Sequence, residues 1–236
     1  MARVEGVVKA VIFDIGATLV TGPPAAPNKV IASLMGEVTA AEVASVIMTR
    51  PFESAESVCE VLAARFGGLD QEAAAGIVDL WDSQSHAARE IEGASETVLE
   101  LKSRGLKIGL LSDIWSPYYA SVRRALPDVT AAADSVVLSC RTGARKPEPD
   151  NFRHALCDLN VEPGEAAMVG DTYAHDILPA LKLGMRAVWL LARPDRERES
   201  IVGVLNGDLP HPTATVSCIA EVGLLNMWAA ETDVRS

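Results

Sequence analysis

Residues 7–13 form an apolar, β-type run that ends directly in a carboxylate, Asp14, and a turn containing Gly16 follows. This run predicts a buried parallel strand, because strands covered on both faces are continuously apolar rather than alternating. In open α/β sheets, ligands bind at the carboxyl edge, which is where Asp14 would lie. An acid at that edge serves as a nucleophile, a metal ligand or a turn cap.

Apolar runs and amphipathic segments alternate along the rest of the chain. We predict further strands at residues 106–113, 135–139, 166–169 and 186–191, and a short edge strand at 214–217. Strands that alternate with helices indicate a parallel sheet with right-handed crossovers. Aromatic residues make up only 5% of the chain, so we expect an aliphatic core. The predicted fold class is therefore α/β.

A helical region interrupts this alternation. Residues 28–91 show helical patterns only, and a Pro-rich break precedes them. Because no strand pattern occurs in this region, we predict an all-helical subdomain inserted into the α/β core. The predicted bounds are 22–91 for the insert, and 1–21 with 92–236 for the core.

Charge and composition exclude several classes of partner. The formal net charge is −11 and the basic residues form no cluster, which argues against nucleic-acid and anionic-membrane binding. Lys9 interrupts the first apolar stretch too early for a signal peptide, and no run approaches transmembrane length. The four cysteines lack CxxC spacing and are typical of free thiols in a reducing compartment. We predict a cytoplasmic protein, either a monomer or a homodimer.

Three of the predicted strands end in carboxylates: Asp14, Asp113 and Asp171. A single acid at a strand end is common as a helix cap. Three acids at one sheet edge would leave uncompensated negative charge unless a cation were present. Oxygen ligands of this kind suit Mg²⁺.

The same positions offer the parts of a phosphoryl-transfer site. The Asp14 carboxylate could attack phosphorus once a metal neutralises the substrate. The Ser112 hydroxyl, at a predicted helix start, could hold phosphate oxygens or simply cap the helix. Lys146 could balance charge in the transition state or be a solvated surface lysine. Asp171 and Asp176 could serve a metal or simply favour the start of a helix.

The order of these residues resembles the haloacid dehalogenase (HAD) superfamily over about residues 8–191. The helical insert after the first strand resembles the C1-type cap of that superfamily. The residues that match its four motifs are Asp14, Thr18 and Leu19, then Ser112, then Lys146 with Pro147 and Pro149, and finally Gly170, Asp171 and Asp176.

The resemblance implies a Rossmann-like core, covalent catalysis through Asp14 and a bound Mg²⁺. It implies that the metal is held by Asp14, the backbone carbonyl of Gly16 and Asp171, with Asp176 as support. The expected catalytic residues are Asp14, Ser112 and Lys146. The expected contacts to the substrate phosphate are Thr18, Ser112, Asp113 and Lys146. The partner would be a small phosphorylated molecule.

Gly16 departs from the family pattern, because the family's phosphatases place an acid/base aspartate at this position. Four interpretations remain. The chain is a phosphatase whose proton comes from elsewhere or is not needed. It cleaves a carbon–halogen or carbon–phosphorus bond. It binds a ligand or partner without turnover. Or the motif order is fortuitous.

The remaining motif residues favour an enzyme. The dehalogenases of this superfamily are metal-independent and usually lack the motif of Gly170 and Asp171. For phosphonate cleavage, Lys29 is the only lysine in the insert, and it lies near the linker. A decayed site should lose its charged residues first, because clustered like charges cost stability without their metal. We therefore predict an Mg²⁺-dependent phosphatase acting on a small phosphorylated metabolite.

Overall fold

A computed structural model describes residues 7–22 and 25–228. In this part of the chain, six parallel strands form one sheet in the order β5-β4-β1-β6-β7-β8, and β2 and β3 form a small antiparallel pair. The strands are β1 Ala10–Phe13, β2 Val20–Thr21, β3 Arg89–Glu90, β4 Lys107–Ser112, β5 Ser135–Leu138, β6 Ala166–Gly170, β7 Arg186–Leu190 and β8 Ala214–Val216. The predicted α/β fold with a parallel sheet is confirmed.

Four helices lie between β2 and β3. They are α1 Pro27–Met35, α2 Ala40–Ile47, α3 Ala55–Phe66 and α4 Gln71–Gln84. The helices that follow are α5 Ala94–Ser103, α6 Ser116–Ala125, α7 Pro127–Ala132, α8 Ser139–Thr142, α9 Pro149–Leu159, α10 Leu178–Lys182, α11 Arg198–Asn206 and α12 Ala220–Gly223. None of the described helices is both long and apolar enough to cross a bilayer.

Burial on both faces explains why β1 is continuously apolar. Val11 and Phe13 pack into one apolar layer, and Ala10 and Ile12 pack into the layer on the opposite face. The strand is shorter than predicted at its amino end, where Val7 is exposed.

The three central strands, β4, β1 and β6, end at the same edge of the sheet. Phe13 is in register with Leu110 on one side and Val169 on the other. The residues that follow these strands therefore lie side by side. The backbone N–H of Asp14 continues the ladder by donating to the carbonyl of Val169 at 2.9 Å.

The helical insert forms as its capping residues predict. The Thr39 side chain accepts from the backbone of Glu42, and the Glu42 carboxylate accepts from the backbone of Thr39, which completes a capping box at α2. The β2–β3 pair was not predicted. It joins Thr21 to Arg89, where the chain leaves and re-enters the core.

Helix α6 fastens the insert to the core. The Tyr118 hydroxyl donates to the carbonyl of Thr21 at 3.0 Å. The backbone N–H of Ala88 donates to the Ser121 hydroxyl at 2.8 Å. Both segments that connect insert and core are therefore held by the same helix.

Aromatic contacts extend this interface into the insert. The Trp81 and Trp115 rings meet edge to face with centroids 5.7 Å apart. The Trp115 indole N–H donates to the buried Gln84 side chain at 3.3 Å. Such aromatic pairs contribute about 0.5–1.5 kcal/mol beyond their area burial.

Candidate active site

Asp14 is buried at the end of β1, and the turn that follows it folds back on the strand. The backbone N–H of Leu19 donates to the Ile15 carbonyl at 2.9 Å, and Ala17 adopts a φ of 60°. This turn brings the buried Thr18 hydroxyl to 3.4 Å from Asp14 Oδ2, to which it donates. The two predicted residues Asp14 and Thr18 therefore lie in contact.

Lys146 joins the first and fourth motifs. Its ammonium donates to Asp14 Oδ1 and to Asp176 Oδ1, each at 2.6 Å. All three side chains are buried, so these are charge-assisted bonds in a site largely shielded from solvent. The backbone N–H of Lys146 donates to Asp113 Oδ1 at 3.0 Å, which ties the lysine loop to the end of β4.

The combined effect of burial and neighbouring charges raises the pKa values of Lys146, Asp176 and Asp113. Burial disfavours the Lys146 ammonium, but the adjacent Asp14 and Asp176 carboxylates outweigh it and raise the lysine pKa. Burial raises the pKa of Asp176 to about 7, with Lys146 opposing the shift and Asp14 adding to it. Burial also raises the pKa of Asp113 against the opposing charges of Lys146 and Arg145. The ammonium is the fixed positive charge among these groups.

A wide, π-type turn over Tyr173–Ile177 carries Asp176 back over the end of β6. The backbone N–H of Thr172 donates to Asp176 Oδ2 at 3.0 Å. Residues 174–183 have a helical pattern in the sequence, but this turn precedes the short α10. Pro179 has no N–H to bond the carbonyl four residues before it, which disfavours a regular helix here.

Asp171 is positioned by contacts on both its backbone and its side chain. The Trp189 indole N–H donates to the Asp171 carbonyl at 3.2 Å. The Arg193 guanidinium donates to Asp171 Oδ2. Burial raises the pKa of Asp171, the Asp14 charge adds to the rise, and Arg193 opposes it.

Arg193 was not predicted as a site residue. It follows the end of β7, the strand beside β6, so its position at the same sheet edge was the signal that could have identified it. Arg145 was also missed. Its Nε lies 3.5 Å from Asp113 Oδ2, next to the predicted lysine.

The acidic residues could hold a divalent cation. Asp14, Asp171 and Asp176 each offer a carboxylate oxygen, and these oxygens lie within 4.8 Å of one another. An all-oxygen donor set suits a hard cation such as Mg²⁺. Lys146 bonds Oδ1 of Asp14, and among the described residues Oδ2 has only the long contact from Thr18. The donor set therefore fits the predicted metal.

The remaining predicted residues lie close in the chain to this cluster but differ in their contacts. Ser112 is buried at the end of β4, and no side-chain hydrogen bond joins it to the acids within the described residues. Gly16 follows β1, and its backbone carbonyl stays a predicted metal ligand. A Cβ added at Gly16 would meet no atom of the described residues within 4 Å apart from its chain neighbours, so this position has room for a side chain.

Known proteins are similar to this chain in sequence and in fold. The family model for haloacid dehalogenase-like hydrolases matches residues 8–184. A glyceraldehyde 3-phosphate phosphatase of Pyrococcus furiosus is 34% identical over 116 residues, which are 49% of this chain and 48% of that protein. The chain thus spans about half the length of the curated relatives it matches.

Solved structures resemble the chain over most of its length. A HAD phosphatase from Thermococcus onnurineus has a TM-score of 0.59 at 24% identity, covering 91% of this chain and 96% of its own. A HAD family enzyme from Bacteroides thetaiotaomicron, solved with magnesium and inorganic phosphate, has a TM-score of 0.60 at 17% identity, covering 79% and 96%. These likenesses concern the fold, whereas the family match covers more than half of the sequence. The chain belongs to the haloacid dehalogenase-like hydrolase family.

Proposed function

We propose that the protein is an Mg²⁺-dependent phosphatase that hydrolyses a small phosphorylated metabolite through an aspartyl-phosphate on Asp14. The observation that carries this proposal is the position of Asp14. Its carboxylate lies at the carboxyl edge of the sheet, bonded by the Lys146 ammonium and close to the Asp171 and Asp176 carboxylates. A nucleophilic carboxylate needs nearby positive charge to receive an anionic phosphoryl group.

Each predicted residue has a part in this function. Asp14 attacks the phosphoryl group, and the Lys146 ammonium stabilises charge on its oxygens. Thr18, Ser112 and Asp113 complete the binding site for the phosphate, Asp113 through its backbone N–H. Asp14, the Gly16 carbonyl and Asp171 would hold Mg²⁺, with Asp176 as support. When bound, the metal supplies the positive charge that lets one anion attack another.

The helical insert serves as a cap in this proposal. We assign residues 22–91 to the cap, as the sequence predicts, and the rest of the chain to the core. A cap that covers the sheet edge excludes water and selects the substrate. The loop between α2 and α3 supports this role, because the Phe52 N–H donates to Ser116 Oγ at the start of α6, 2.9 Å away.

The relatives support a phosphatase. The Pyrococcus furiosus protein is a glyceraldehyde 3-phosphate phosphatase, and the Bacteroides thetaiotaomicron enzyme binds magnesium and inorganic phosphate. Gly16 favours a second candidate, a HAD-like domain that binds a ligand or partner without turnover, because the acid/base side chain is absent at this position.

Hydrolysis of an aryl phosphate with and without Mg²⁺ separates these candidates. We expect turnover that requires the metal and is lost in Asp14→Asn, because the amide is a poor nucleophile and a weaker metal ligand. Asp195→Asn, on the exposed surface, is the matched control and should retain activity. Mg²⁺ binding without turnover over a broad panel of phosphorylated metabolites would favour the second candidate. Metal-free halide release from chloroacetate would indicate a dehalogenase instead.

A further inference from the structure

The missing side chain at Gly16 leaves the proposed phosphatase without its usual proton donor. A Cβ built at Gly16 meets no atom of the described residues within 4 Å apart from its chain neighbours, so this position has room for a side chain. Proton transfer by a positioned group contributes typically ~10²–10⁴-fold to rate. The consequence depends on whether another residue supplies the proton.

The charged residues of the cluster are already engaged. The Lys146 ammonium donates to both Asp14 and Asp176. Asp176 accepts from Lys146 and from the Thr172 backbone. Asp113 accepts from the Lys146 backbone. Each of these groups is therefore already hydrogen-bonded within the cluster.

Tyr118 is a poor proton donor for this reaction. Its hydroxyl donates to the Thr21 carbonyl, and burial together with the Asp14 charge raises its pKa to about 12. His175, on the turn that carries Asp176, is exposed, and so is Glu53 in the cap loop. Within the described part of the chain, neither side chain forms a hydrogen bond or an ion pair with Asp14, Asp171 or Asp176.

We infer that the substrate carries its phosphoryl group on a weakly basic oxygen, as acyl phosphates and phosphoric anhydrides do, rather than on an aliphatic alcohol. The inference rests on the proposed phosphatase function and names its substrate class. A carboxylate or phosphate leaves as a stable anion and needs no proton. An alkoxide leaves only if a proton is supplied, and Gly16 cannot supply one.

The reaction balances without an acid at residue 16. An oxygen of Asp14 bonds to phosphorus, the bond from phosphorus to the leaving oxygen breaks, and the electron pair departs with the carboxylate or phosphate. Water then attacks phosphorus, and the bond to Asp14 breaks. The second leaving group is again a carboxylate, that of Asp14. The two protons of water leave with the product as dihydrogen phosphate.

The test compares leaving groups at saturating Mg²⁺. The wild-type protein is assayed with acetyl phosphate, inorganic pyrophosphate and glycerol phosphate. It is also assayed with a series of aryl phosphates from dinitrophenyl to phenyl. We expect acetyl phosphate or pyrophosphate to exceed glycerol phosphate by at least ~10²-fold in kcat/KM, and the aryl series to depend steeply on the basicity of the leaving phenol. Acetyl phosphate and pyrophosphate distinguish acyl phosphates from anhydrides.

Gly16→Asp provides the decisive variant, because the open space at this residue accepts a side chain. It should raise glycerol phosphate turnover by ~10²-fold or more and flatten the dependence on the leaving phenol. Gly16→Asn has the same shape without the acid and should do neither.

Three results would overturn the inference. A wild-type rate that is independent of the leaving group would show that another residue donates the proton, while the phosphatase function would stand. Equal effects of Gly16→Asp and Gly16→Asn would show that the acid is not what residue 16 lacks. The absence of turnover on every substrate would overturn the proposed function itself.

Discussion

At the scale of single residues, Gly170 determines whether Asp176 can reach the site. A Cβ at Gly170 would lie 2.5 Å from both Cβ and Cγ of Asp176, far closer than nonbonded carbons approach. The turn can therefore fold back over the end of β6 only if residue 170 has no side chain. The glycine of this motif is explained by steric contact rather than by backbone conformation.

Gly170→Ala should displace Asp176 and break its bonds to Lys146 and Thr172. We expect a loss of unfolding free energy of about 1–3 kcal/mol, as for other overpacked interior positions. Urea denaturation measures the loss. Gly68→Ala is the control, because a Cβ there meets nothing within 4 Å, and it should change stability by no more than about 0.5 kcal/mol. Equal stability of the two variants would contradict the steric explanation.

Asp176 should make the stability of the metal-free protein depend on pH. Its pKa is raised from 3.8 in the ordinary carboxyl to about 7 in the fold, so the folded state binds the proton more tightly than the unfolded state. This contribution to stability is therefore present at acidic pH and is lost as pH rises toward 7.

Asp176→Asn removes this titration. We expect its urea midpoint to vary less between about pH 4 and pH 7 than that of the wild type. The stability of the variant relative to the wild type should be greatest near pH 7, where the wild type has lost the contribution of the protonated carboxyl. Asp79→Asn, which changes an exposed carboxylate of α4, should keep the wild-type profile. If Asp176→Asn had an unchanged pH profile, burial of this carboxyl would not be the cause of the dependence.

At the scale of elements, predictions succeeded where burial leaves a pattern in the sequence. Strands β1, β4 and β6 are buried almost throughout and read as continuous apolar runs. The two-residue strands β2 and β3 leave no such pattern, because each exists only through pairing with a partner 68 residues away. The turn over Tyr173–Ile177 depends on the space above Gly170, which local periodicity does not reveal.

The candidate site likewise contains residues that the sequence predicted and residues that it did not. The contact between Lys146 and Asp14 spans 132 residues of chain, yet both residues were predicted because the motif order places them at one sheet edge. Arg193 belongs to no recognised motif, so only its position after β7 linked it to this edge. Motif order thus predicted the parts of the site that the family shares.

The loop after β7 places Arg193 in competition with a metal for Asp171. Arg193→Gln removes the guanidinium and leaves the carboxylate free, so we expect Mg²⁺ to bind several-fold more tightly. Isothermal titration calorimetry measures the affinity independently of turnover. Arg196→Gln, exposed on the same loop, should match the wild type. Weaker Mg²⁺ binding by Arg193→Gln would mean that the arginine supports the metal site.

At the scale of the whole molecule, helix α6 couples the insert to the sheet edge that carries the candidate site. It starts four residues after Ser112 and holds both connecting segments through Tyr118 and Ser121. A movement of the cap relative to the core must therefore break contacts to α6. The position of the cap and the second motif are linked through one helix.

Ser121→Ala tests this coupling. Both Ser121 and Ala88 are buried, so the Ala88 N–H would lose its partner without gaining water. We expect a destabilisation of about 1–3 kcal/mol and faster hydrogen exchange at the Ala88 amide. Ser83→Ala removes an exposed hydroxyl from α4 and should alter neither value. Unchanged exchange at Ala88 would show that this contact does not restrain the cap.

The β2–β3 pair has a consequence for how such a protein can diversify. Thr21 and Arg89 are direct partners, so the ends of the insert lie about 5 Å apart. The six-stranded sheet contains no strand of the insert. A recombination event could exchange the whole segment as a cassette while the strand order of the core stayed intact. The α6 surface, with Trp115 at its start, would need to adapt to a new occupant. Under the proposed function, selectivity and chemistry can therefore evolve on separate pieces of one gene.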